Sequence, residues 1–151
     1  MTTSLVSVWL HLLGVVAWIG GLMYQAHVLV PAARRTDAAP IAEMLRRARR
    51  VTWIAIALVV LTGLYNVTRL GPLDRVLQSG AALLLALKFM LVLAAVAVAG
   101  QRDFAQVPRL ARALAAGDDP RPALSAIAWL DRVVLLLAVV IVYLGLAVSR
   151  A

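Results

Sequence analysis

Four stretches of this chain, at residues 4–31, 51–70, 80–100 and 123–149, are apolar and long enough to cross a lipid bilayer. A helix needs about 20 such residues to span a hydrocarbon core about 30 Å thick. Backbone polar groups find no water there, so they must bond one another within the helix. With 151 residues the chain holds these four spans and short connections, and little else. The expected fold class is therefore an all-α integral membrane protein, an up-down-up-down four-transmembrane-helix bundle forming one domain over 1–151. Its 64% hydrophobic content supports this, since soluble domains hold about 45–50%. The first stretch lacks a basic leader, exceeds a signal peptide's apolar region and shows no small-residue cleavage site before Pro31, so it reads as a retained span.

Arginine sets the expected orientation. The connection after the first stretch carries Arg34, Arg35, Arg46, Arg47, Arg49 and Arg50, and the one after the third carries Arg102, Arg109, Arg112 and Arg121. The opposite side has Arg69, Arg75 and Arg150. Positive charge is retained in the cytoplasm, which puts both termini outside and the chain in a bacterial-type cytoplasmic (inner) membrane. The net charge of +8 lies between apolar runs, so anionic lipid is the expected partner and nucleic acid is not. With no cysteine, disulfides, thiolate metal sites, iron–sulfur clusters and covalent c-type haem are excluded.

Helical spacing assigns faces. Ser4, Ser7, His11, Gly14, Trp18, Gly21 and Gln25 recur at steps of three and four, as do Thr52, Ala55, Val59, Thr62, Asn66 and Arg69. Such stripes of small and polar groups allow close approach and hydrogen bonding between membrane helices. Residues 40–50 read as a basic amphipathic extension of the second span near the cytoplasmic surface. Gly71-Pro72 and the 117–122 segment read as turns. Asp131 and Arg132, near the inner end of the fourth span, read as a structural pair for nearby arginines or water.

His11 and Lys88 carry the functional expectation, because each places an ionisable group inside an apolar run, where such groups mark sites. They sit about 10 and 12 Å below the outer ends of two co-directional spans. Thr62, Asn66 and Tyr143 reach a comparable level. Burial disfavours a charged amine; a neutral lysine amine and an imidazole from two helices then suit the axial positions of haem iron, with Trp18, Thr62 and Asn66 shaping the pocket. The bland alternative is a lysine that snorkels to the headgroups and a histidine bonded to a carbonyl. His27 lies about 24 Å from His11 along the axis, which rules out one haem held by both. Met23 and His27, at i,i+4, offer a soft start for copper(I), with Met44 and Met90 as more distant candidates. Packing competes with that role for Met23.

Three segments resemble the copper-resistance D (CopD) family and, more distantly, the HemJ-type protoporphyrinogen oxidases. They are Trp9-Leu-His-Leu-Leu-Gly-Val-Val-Ala-Trp-Ile-Gly-Gly-Leu22 with Pro31, Leu61-Thr-Gly-Leu-Tyr-Asn66, and Leu84-Leu-Ala-Leu-Lys-Phe-Met-Leu-Val92. The CopD resemblance implies copper movement across the bacterial inner membrane, in a minimal single-bundle version. The HemJ resemblance implies haem b on a histidine and a lysine matching His11 and Lys88. That pattern carries an arginine where this chain has His27 and a histidine where it has Ala32, while Pro31 and Gly20-Gly21 are the more CopD-like features.

The leading expectation is a haem b-binding redox or electron-transfer module, a candidate membrane oxidoreductase, with a redox protein or quinone as partner and homo-oligomers allowed. The alternative is a copper permease or copper-homeostasis protein using Met23, His27 and Met90. A third option is an accessory subunit of a membrane complex.

Overall fold

The computed structural model describes residues 2–69 and 81–148, with the side chains of 5–69 and 82–146. Arg75, Arg150, the Gly71-Pro72 turn and the Ser4 side chain fall outside that range. Among the described residues six α-helices build four rods. The first rod is α1 (Thr2–Tyr24), a π-helical turn (Gln25–Leu29) and α2 (Val30–Ala33). The second is α3 (Ala38–Thr68). The third is α4 (Ala81–Gln101), a second π-helical turn (Arg102–Gln106) and α5 (Val107–Ala116). The fourth is α6 (Arg121–Val148). Each rod contains a window long and apolar enough to cross a membrane, as expected.

The ends of the rods follow from local chemistry. The Asp37 carboxylate accepts the Ala39 N–H at 3.0 Å and starts α3. Gly117, at φ 73°, ends α5 in the left-handed region, where Asp118 N–H reaches the Ala113 carbonyl at 2.9 Å. The amphipathic 40–50 segment is coaxial with the second span, since α3 runs unbroken from Ala38. The third rod likewise continues past residue 100 to Ala116.

Both π turns lead into Val-Pro, at Val30-Pro31 and at Val107-Pro108. A proline ring clashes with the carbonyl four residues back and removes one hydrogen bond. Widening the preceding turn by one residue accommodates both effects without breaking the rod. The widening also re-aims side chains, and Gln25, Arg102 and Asp103 end up buried inside these two turns.

In the bundle α1 packs mainly on α3 and α4 on α6, with α1 also touching α6. Short connections make such neighbours antiparallel. α1 and α3 approach closely at Gly14, where a β-carbon would lie 2.8 Å from Val59 Cγ2 and 3.3 Å from the Ala55 carbonyl oxygen. One apolar core lies mid-bundle around Trp18, Leu22, Ile56, Ala95 and Val134; a second, around Val30, Leu45, Leu110, Leu124 and Ile127, fills the arginine-rich end. Leu5, Leu83, Leu136 and Val139 lie more than two-thirds exposed on the outer faces. A surface of that kind belongs in lipid.

Candidate functional site

His11 sits half-buried on the inner stripe of α1, between the buried Ser7 and Gly14. Its Nδ1 lies 2.9 Å from Thr62 Oγ1 on α3. The Thr62 hydroxyl has one proton, and it donates that proton to the Leu58 carbonyl. With that proton engaged, Thr62 accepts from a protonated Nδ1, the tautomer in which Nε2 carries the lone pair. The bond to Thr62 fixes the orientation of the His11 ring. Gly63 makes room for the ring: a β-carbon there would stand 3.3 Å from His11 Cε1. One turn away, Ser7 Oγ is buried with no hydrogen-bond partner among the described residues.

Lys88 is half-buried on α4 and close enough to act electrostatically on the His11 imidazole. Its Nζ lies against α6, 3.2 Å from where a β-carbon at Gly145 would stand. Asn66 is half-buried one turn beyond Thr62 on the same face, and Trp18 is in the mid-bundle core two turns below His11. Tyr143 departs from the expected polar layer. It is 70% exposed on the outer face of α6, so only its depth matches.

The residues of the copper alternative lie elsewhere. Met23, Met44 and Met90 are each more than half exposed. His27 is exposed and its Nδ1 engages the Met23 carbonyl at 3.0 Å. Among the described residues no group of three or more histidine, aspartate or glutamate side chains is arranged to hold a metal.

Sequence reasoning missed a buried charge network at the arginine-rich end. Arg102, placed in a connection by its position beyond the apolar run, is only 3% exposed. Its guanidinium donates to Asp131 Oδ1 at 2.7 Å, Asp103 Oδ1 at 2.6 Å and Gln25 Oε1 at 2.8 Å. Trp53 Nε1 donates to Asp103 Oδ2 at 3.0 Å, so all four rods are tied together. The pair expected of Asp131 thus forms, with Arg102, while Arg132 is exposed. Two carboxylates share one guanidinium, and Asp131 Oδ2 has no hydrogen-bond partner among the described residues. The available signals were Gln25 at the end of the polar stripe and a Val-Pro step within two apolar rods.

A family model described as copper resistance protein D matches residues 42–148, which include Thr62, Asn66 and Lys88 but not His11. No curated protein and no solved structure matches the chain.

Proposed function

The chain belongs to the copper resistance protein D family, and on that premise we propose that it handles copper as cargo in a bilayer, with His11 Nε2 as the donor that meets the ion. The observation that carries this reading is the hydrogen bond from His11 Nδ1 to Thr62, which leaves Nε2 unprotonated inside an apolar rod. Imidazole is a good copper donor, and the oxygens nearby belong to Ser7, Thr62 and Asn66. The positive-inside rule places the arginine-rich end in the cytoplasm and both termini outside, so His11 lies in the outer half. Met23 and His27 then stand at the cytoplasmic end as a second, softer contact for copper(I).

Copper accumulation in cells expressing the chain tests the reading. His11→Ala lowers accumulation to that of cells lacking the chain. Thr62→Val, which leaves the ligand but removes its orienting partner, weakens copper affinity about 10–100-fold. Wild-type accumulation in a His11→Ala variant present at normal membrane levels would falsify the proposal.

Haem b held by His11 and Lys88 is the second reading, favoured by the electrostatic proximity of the two side chains on separate rods. His11 and Lys88 would hold the group, which would supply one-electron chemistry there, and the His11 imidazole suits iron. Lys88 Nζ lies against Gly145 and would have to leave it, so the donor set fits by half. The purified protein is expected to lack a Soret band; a Soret band abolished by His11→Ala would put this reading first.

A further inference from the structure

We propose that the groove between α3 and α5 is a binding site for one anionic phospholipid, with its phosphate among arginines and an acyl chain along an apolar floor. The groove encloses about 530 Å³, with Ala42, Val107 and Leu114 in its apolar part and Arg46, Arg49 and Arg112 among its polar lining. A smaller adjoining cavity adds Arg47 and Arg50. Across the two cavities five guanidiniums face one carboxylate, Glu43.

The internal pairing leaves a free share of that charge. Glu43 holds Arg46 through two hydrogen bonds, at 2.7 and 2.9 Å, and Arg47 at 2.7 Å. No carboxylate among the described residues pairs with Arg49, Arg50 or Arg112. Arginine presents a planar fork of donors that matches a phosphate, which a lone surface lysine does not.

Position selects a lipid over a soluble anion. Arg49 lies over the ring of Phe104 at 5.2 Å, and Phe104, 59% exposed, packs on Trp53 with centroids 5.3 Å apart. Arginines gather at the cytoplasmic flank of membrane helices, which puts this rim at the headgroup level. The groove thus joins an apolar floor to a cationic rim at the depth where acyl chain and phosphate meet. Basic pockets at the ends of membrane helices hold anionic headgroups in this way. An acidic peptide would satisfy the rim but would lay polar backbone groups on the floor unpaired.

Native mass spectrometry of the full chain in mild detergent, titrated with phosphatidylglycerol or phosphatidylcholine, tests the site. One phosphatidylglycerol is expected to remain bound under conditions that strip phosphatidylcholine. The Arg49→Gln/Arg112→Gln double variant should weaken retention about 30-fold, from two arginines near a membrane phosphate. Ala111→Trp, which fills the groove at an exposed position, should weaken it without removing charge. Arg34→Gln/Arg35→Gln, at the same end but lining neither cavity, should leave it unchanged. Equal loss in that control pair would replace the site with diffuse attraction. Competition by inorganic phosphate at the lipid's own concentration would reassign it to a free anion. Displacement by an acidic peptide, with no preference between the two lipids, would reassign it to a protein partner. Because the copper measurements read His11, this outcome and that of the copper reading are separable.

Discussion

Arg102→Met should destabilise the bundle by about 3–5 kcal/mol, the usual cost of removing one partner from a buried ion pair. The guanidinium is hydrogen-bonded to both Asp103 and Asp131, which are 1% and 0% exposed. Its loss leaves two carboxylates together in a medium that cannot solvate them. It also frees the Gln25 amide oxygen and unties the first rod from the third and fourth. Asp131→Asn should cost far less, because the amide oxygen still accepts from Arg102 Nε and the surplus negative charge disappears. Unfolding by a denaturing detergent, followed by circular dichroism, gives both numbers. If Arg102→Met falls within 1 kcal/mol of wild type, or Asp131→Asn costs more, the network does not hold the rods together (threshold of roughly the size of an exposed ion pair).

Gly14→Ala should cost about 1–3 kcal/mol, the range for overfilling a packed interface. The new methyl group would lie 2.8 Å from Val59 Cγ2, and the Ala55 carbonyl oxygen at 3.3 Å blocks retreat on one side. α1 and α3 must then separate or slide, and the His11–Thr62 hydrogen bond one turn away moves with them. Val59→Ala opens the space that the methyl needs. The double variant should therefore be more stable than the sum of the two single effects, a coupling that a double-mutant cycle isolates. The same cycle read through copper affinity should show His11 geometry restored. Simple additivity of the two changes would mean that this contact does not set the helix spacing.

The rods and their inward faces were legible because lipid imposes a strong rule on sequence. The stripe from Ser7 to Gln25 is buried or half-buried at each position, since a step of three or four keeps a side chain on one face whatever it packs against. Depth was legible for Tyr143 but direction was not. Rise per residue gives the first, while the second depends on which face of α6 its neighbours cover. Lys88 poses the same problem in sharper form: only the bare backbone at Gly145 shows where its amine goes. Arg102 was illegible for another reason. Hydropathy ends the third span where charges begin, and a guanidinium neutralised by two carboxylates and an amide from distant segments looks, along the chain, like any loop arginine.

The paired Val-Pro steps have a consequence for how the molecule can vary. An α-helix turns by about 100° per residue, so a turn holding one extra residue sets the helix beyond it out of phase with the helix before it by that angle. Each of the two affected rods is thus two azimuthal segments joined by a phase step. Shortening either step by a single residue would swing the arginine-bearing segment around its own axis and leave the imidazole aimed as before. The surfaces on the two sides of the steps can accordingly diversify in separate lineages of change, linked by the Gln25 amide that one step turns inward and the Arg102 guanidinium that the other does.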